Sequence, residues 1–144
     1  MGKAPPNHRG RIIGTDRGTL KLLVLNLPLP PSINSYWGFS GHRRFINKAG
    51  VAFKEAVADY VAEYKVPKLG DARIEIHVTL YPKDKRIQDI DNRLKSLFDS
   101  LSNNGAGVFD DDSQIDVLLV QRGEIKKGGG CLVLIEIIDD NQDA

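Results

Sequence analysis

The stretch Arg73-Ile74-Glu75-Ile76-His77-Val78-Thr79-Leu80-Tyr81 alternates apolar and polar residues without a break. Successive side chains of a strand point to opposite faces. Ile74, Ile76, Val78 and Leu80 therefore share one face, and Glu75, His77, Thr79 and Tyr81 the other, which reads as a half-buried strand. His77, on the polar face, reads as a solvated strand residue and not as a ligand. Toward the N-terminus, Lys48 to Tyr64 carries Phe53, Val57, Tyr60, Val61 and Tyr64 at helical spacing, and Pro67 and Gly70 end the segment. Toward the C-terminus, Leu94, Leu97, Phe98 and Leu101 form the apolar stripe of a second helix from about Asn92 to Leu101, stopped by Asn103-Asn104-Gly105. Further strands read at Leu20 to Leu27, Ile115 to Glu124 and Cys131 to Ile138, the first ended by Pro28, Pro30 and Pro31. Ser32 to Asn47 reads as a loop, and Lys126-Lys127-Gly128-Gly129-Gly130 as a hairpin loop between the last two strands. The order β-α-β-α-β-β predicts an α+β fold. Its expected form is one mixed four-stranded sheet with both helices on one face, the other face being open to dimerisation.

The chain has 144 residues, 41% of them hydrophobic, which suits one domain with a real core. Residues 1–19 read as a flexible basic arm, 20–138 as the folded domain and 139–144 as an acidic tail. No run of about 18 apolar residues is present, so no membrane span is expected, and the polar N-terminus does not read as a secretory signal. The single cysteine, Cys131, lies in an apolar run and reads as a core thiol. Together these features point to a bacterial-type cytoplasm. The net charge of +1 does not by itself point to nucleic acid. Its distribution says more: bases cluster at Arg43-Arg44, at Lys83, Lys85 and Arg86, and at Lys126-Lys127.

Gln88-Asp89-Ile90-Asp91-Asn92-Arg93-Leu94-Lys95 lies between a strand and a helix. In extended backbone, Asp89 and Asp91 point to the same side. Two readings of Asp91 stand side by side: a helix N-cap, or a member of a site. Lys95 can pair with Asp99 one turn later, or serve the same site. A second acidic group, Asp110-Asp111-Asp112, precedes the third strand, either as a solvated loop or as part of that site. A ten-residue helix is about 15 Å long, and residues 105–112 span up to about 26 Å when extended. The chain is therefore long enough to bring the second group back beside the first. Convergent carboxylates with no histidine or cysteine partner suit a hard cation such as Mg²⁺, with Mn²⁺ as substitute, and argue against zinc. Such a site can orient and activate water and stabilise charge on a phosphate, with Lys95 aiding the latter.

Four motifs in register carry a resemblance. They are Pro30-Pro31-Ser32-Ile33-Asn34, Asp89-x-Asp91-Asn92 with Lys95, Asp111-Asp112-Ser113-Gln114-Ile115, and the Lys127-Gly128-Gly129-Gly130 turn before the terminal strand. Over residues 20–138 the chain resembles the RusA family of Holliday junction resolvases. The resemblance implies a homodimeric, Mg²⁺-dependent, often prophage-encoded endonuclease that cuts four-way junctions by paired symmetric nicks. It places the essential acids on Asp89, Asp91 and Asp112 and the essential lysine on Lys95, with Asp111 a supporting partner or an alternative ligand. Gln88 interrupts the basic run that precedes the motif in many relatives. The expected DNA-binding surface comprises Arg43, Arg44, Lys48, Lys85, Arg86 and Arg93, because phosphates dominate affinity. Tyr36, Trp37 and Phe39 either stack at the branch point or pack their loop on the core. Two other functions compete: a metal-dependent nuclease for other branched DNA, and an inactive dimeric DNA-binding module whose acids are structural.

Overall fold

The computed structural model describes residues 11–14 and 20–138. The chain folds into strands β1 (Arg11–Gly14) and β2 (Leu20–Leu27), a short helix α1 (Ile33–Tyr36), strands β3 (Trp37–Ser40) and β4 (Arg43–Ile46), and helix α2 (Lys48–Glu63). Strand β5 (Ile74–Tyr81), helix α3 (Leu94–Leu101), a 3₁₀ turn (Asp112–Gln114), and strands β6 (Ile115–Arg122) and β7 (Gly130–Ile137) follow. The sheet order is β1-β2-β7-β5-β6, and only β5 and β6 run parallel. The architecture is α+β with a mixed sheet, and the four strands expected from the alternation are its body. Two details differ. Arg11–Gly14, within the expected basic arm, adds a fifth strand antiparallel to β2. The segment expected as a loop between Ser32 and Asn47 instead forms α1 and the β3–β4 hairpin. The remainder of the arm, residues 1–10 and 15–19, and the acidic tail lie outside the described residues.

A larger correction concerns the connection from β6 to β7. These strands are not hairpin partners, because β5 lies between them. The linker crosses the end of β5, with the Gly123 N–H donating to the Leu80 carbonyl and the Lys126 N–H to the Pro82 carbonyl, each at 2.8 Å. Gly128 and Gly129 then turn the chain at φ values of 80° and 74°, a left-handed conformation that side-chain-bearing residues rarely adopt.

The core lies on one face of the sheet. Leu23, Leu25 and Leu27 of β2, Ile74, Ile76, Val78 and Leu80 of β5, and Cys131, Val133 and Ile135 of β7 are buried there. Phe53, Val57 and Val61 of α2 and Leu97, Phe98 and Leu101 of α3 cover them, closed at one end by Val108 and Phe109. Cys131 is fully buried, as expected of a core thiol, and burial pushes its pKa up to about 12. On the opposite face His77 pairs with Glu75 at 2.6 Å. Among the described residues no helix is long and apolar enough to cross a membrane.

Candidate active site

The loop between β5 and α3 carries Asp89, Asp91 and Asn92, and it is clamped at several points. The Arg93 guanidinium donates to the Pro30 carbonyl and to Gln88 Oε1. Ser96 Oγ donates to the Pro31 carbonyl at 2.8 Å, and the Ile33 N–H to the Asn92 carbonyl at 2.6 Å. Arg122 holds the Gln88 carbonyl from the β6 side. The Pro30-Pro31-Ser32-Ile33 segment thereby acquires a physical role. Proline has no backbone N–H and a fixed φ, so Pro30 and Pro31 present their carbonyls as acceptors outside any ladder. The acidic loop docks on them.

Asp89 and Asp91 are both exposed, and neither side chain makes a hydrogen bond or ion pair with the described residues. The N-cap reading of Asp91 is overturned: α3 is capped by Arg93 without a side-chain bond, and Asp91 contributes only its backbone carbonyl, to the Leu94 N–H at 3.4 Å. Its carboxylate is therefore free. Asn92 Oδ1 is buried without a hydrogen-bond partner beside it.

Lys95 Nζ lies 3.4 Å from Asp99 Oδ1, the i,i+4 pair the sequence allows. Asp99 is nearly buried, and its other oxygen accepts from Tyr36 Oη at 3.2 Å. Burial first, and then the adjacent Asp99 carboxylate, push the Tyr36 phenol well above its usual pKa. Tyr36 thus packs on the core and supports the lysine's partner; it is not a surface wedge. Trp37 meets it edge-on at 5.0 Å and carries Arg44 over its ring at 4.0 Å. Phe39 is exposed.

The second acidic group divides its labour. Asp111 caps the 3₁₀ turn by accepting from the Ser113 N–H at 2.9 Å, and Gln114 completes a capping box. Gln114 Oε1 accepts from the Asp110 and Asp111 N–H groups at 2.9 Å each, while its Nε2 donates to the Gly70 and Ala72 carbonyls. Hydrogen bonds from Ser113 hold the Asp111 carboxyl below the usual carboxylate range, with a smaller pull from Lys95. Asp112 is exposed, and its carboxylate has no partner among the described residues.

The expected convergence is incomplete. Among the described residues no three His, Cys, Asp or Glu side chains stand close enough together to hold a metal ion. The chemistry of the donors nevertheless fits a hard cation. Asp89, Asp91 and Asp112 are exposed, unpartnered oxygen donors, and Mg²⁺ commonly uses one or two carboxylates and fills its remaining positions with water and phosphate oxygens.

A family model described as endodeoxyribonuclease RusA matches residues 28–137. The chain belongs to the RusA family. It is 38% identical over 106 residues to the crossover junction endodeoxyribonuclease of Enterobacteria phage HK97, covering 74% of this chain and 86% of that protein. It is 30% identical over 105 residues to the protein of that name from Escherichia coli K12, and 32% identical over 106 residues to that of Enterobacteria phage 82. Each of these two matches covers 73% of this chain and 86% of the relative. The RusA match begins at Pro28, so it takes in the proline clamp, the Asp89–Lys95 loop and the Asp111–Gln114 turn but leaves out β1 and all of β2.

Of the basic residues expected on the DNA surface, Arg43, Arg44, Lys48, Lys85 and Arg86 are exposed. Arg86 is paired with Asp84 at 3.3 Å. Arg93 is partly buried and committed to the clamp. Sequence reasoning missed Tyr36, Arg122 and Gln114 as parts that position the site. Only Gln114 had a local signal: an acidic cap followed three residues later by glutamine is a capping-box pattern.

Proposed function

We propose that this chain is a divalent-metal-dependent, structure-selective endodeoxyribonuclease that resolves Holliday junctions by paired symmetric nicks in DNA recombination and repair. The observation that carries the reading is that the carboxylates of Asp89, Asp91 and Asp112 are exposed and unpartnered, inside the region matching the RusA family. Mg²⁺, with Mn²⁺ as substitute, would be held by these three residues and would supply water activation and charge stabilisation at the scissile phosphate. Asp89 and Asp91 ride on a loop clamped to Pro30 and Pro31, which fixes their approach to the backbone of the DNA. Lys95, oriented by Asp99, presents its ammonium to the phosphate, where negative charge grows in the transition state. Arg43, Arg44, Lys48, Lys85 and Arg86 would hold the flanking phosphates; Arg93 would act through the loop it positions. Two such sites in a C₂ homodimer would match the near two-fold symmetry of a four-way junction. The working place of the enzyme would be the cytoplasm of a bacterial or phage-infected cell.

The incomplete convergence of the acids favours one second reading, a dimeric DNA-binding module with structural acids. One experiment separates the two: labelled four-way junction and linear duplex incubated with the protein in Mg²⁺ or in EDTA. Junction-only, Mg²⁺-dependent, symmetric nicks are expected. Cutting of both substrates would keep a nuclease and remove the junction selectivity. Tight junction binding without cutting, in Mg²⁺ and in Mn²⁺, would establish the binding module.

A further inference from the structure

The β3–β4 hairpin is tied at its root to the elements that carry Asp91 and Lys95. Short α1 leads into it, with the Ile33 N–H on the Asn92 carbonyl and Tyr36 Oη on Asp99, the partner of Lys95. Asn47 closes the base of the hairpin: its N–H donates to the Tyr36 carbonyl at 2.8 Å and its Nδ2 to the Trp37 carbonyl at 3.0 Å. Charge is segregated here. Residues 17–54 contain no acid, and Arg43 and Arg44 stand exposed on β4. A surface of one sign attracts a polyanion. The hairpin register pairs Gly38 with Phe45 and Phe39 with Arg44, so Trp37, Phe39 and Arg44 share one face. On the other face the Phe45 ring lies across Gly38, where a Cβ would come within 2.5 Å of it. Arg44 leans over the Trp37 ring at 4.0 Å and leaves its cross-strand neighbour bare. Phe39 is 71% exposed, and among the described residues no other ring and no cation covers it. A single exposed apolar residue is ordinary; an uncovered aromatic ring beside two cations, on an arm bolted to the site, is a stacking platform for a nucleotide.

We propose that Phe39 stacks on a base at the branch point of the DNA, with Arg43 and Arg44 taking the phosphates beside it, and that this contact selects the junction over duplex. Inside a duplex both faces of a base are already stacked, so a phenyl ring must first separate base steps, at a cost. At a branch point that stacking is interrupted, and the cost is least for a base that is already unpaired or unstacked. The same ring therefore gains more on a junction than on linear DNA, and a difference of affinities is what selectivity is. Every base has a π-face, so the contact reads structure and tolerates sequence. Arg44 remains able to take part. Its guanidinium offers a flat face to Trp37, while its N–H donors point outward in the plane of the group, toward a phosphate. This inference rests on the resolvase reading above and names the part that recognises its substrate.

The test uses the full chain in EDTA, so that binding is read without cutting. The probes are a four-way junction with 2-aminopurine at the branch point and a linear duplex with the same base in the same sequence. Fluorescence and affinity are measured for the unaltered protein, Phe39→Ala and Phe39→Tyr. The unaltered protein is expected to change the fluorescence of the junction and not of the duplex. Phe39→Ala should lose that change and about tenfold of the preference for junction over duplex, as expected for one base stacked on one ring. Its duplex affinity should stay the same, which shows that the variant is folded. Phe39→Tyr, which keeps a ring, should restore the preference. Retention of both the fluorescence change and the preference in Phe39→Ala would overturn the proposal. So would an equal loss of affinity for junction and duplex, or a junction-selective unaltered protein that leaves the fluorescence unchanged; in each of these cases the resolvase reading stands. An unaltered protein with no preference for the junction would overturn that reading, and this proposal with it.

Discussion

Lys95, proposed for the site, illustrates how little such a residue need contribute to stability. Its side chain is 49% exposed, and its ion pair with Asp99 is an i,i+4 contact, a class worth about 0.3–0.5 kcal/mol. Lys95→Ala is therefore expected to change stability in urea by less than about 0.5 kcal/mol while abolishing junction cutting. Retained cutting, measured as single-turnover cleavage, would remove Lys95 from the site. Tyr36 has the opposite balance. It is fully buried with its hydroxyl on Asp99, so Tyr36→Phe leaves a nearly buried carboxylate short of a donor, at a cost of about 1–3 kcal/mol. Cutting should fall in that variant, because the partner that orients Lys95 is loosened. Asp111 sets a pH dependence. Its carboxyl titrates below the usual carboxylate range when folded, so the stability it contributes is present above that range and is lost as pH falls through the lowered value. The destabilisation caused by Asp111→Ala should accordingly be full near neutral pH and shrink in acid; a pH-independent difference in Tm would contradict the assigned cap.

At the scale of elements, the strands and helices with strong periodicity were legible. β2, α2, β5, β6 and β7 fall within two residues of the bounds that apolar spacing alone suggests. α1 and the β3–β4 hairpin were not, because Ile33–Ile46 has no sustained period and its hairpin is held by Asn47 Nδ2 donating to the Trp37 carbonyl, a bond no pattern announces. The start of α3 was misplaced for a similar reason: Asn92 looks like the first helical residue, but its carbonyl is taken by Ile33 of another element. The Asp112–Gln114 turn depends on one buried amide. Gln114→Ala removes a two-way bridge between the turn and Gly70 and Ala72, and a loss of about 2 kcal/mol is expected in denaturant unfolding. Asp112 rides on that turn, so cutting should weaken with it while the sheet remains intact.

For the whole molecule, the composition of the sheet could be read and its order could not. Glycine-rich turns commonly join hairpin partners, yet here β5 inserts between β6 and β7, a choice made by long-range packing of Ile76 and Val78 against Ile135 and Val133. The candidate acids were legible one by one; their geometry was not, since it depends on the clamp from Pro30 and Pro31 and on loops carrying repelling carboxylates. A net charge of only +1 makes DNA affinity a matter of the local basic surface, so junction binding should fall steeply between about 50 and 200 mM salt; a flat response in a band-shift titration would remove that surface. The central claim is that Asp89, Asp91 and Asp112 serve one metal-dependent centre although they stand apart in the free chain. Its most direct test is the Mg²⁺ dependence of four-way-junction cutting by the unaltered protein, Asp91→Asn and Asp112→Asn, with junction binding measured alongside in EDTA. The account predicts that both variants bind the junction normally and fail to cut at any Mg²⁺ concentration. Full cutting by Asp112→Asn with unchanged Mg²⁺ dependence would contradict it, leaving Asp112 a turn residue and the centre confined to the Asp89–Asp91 loop.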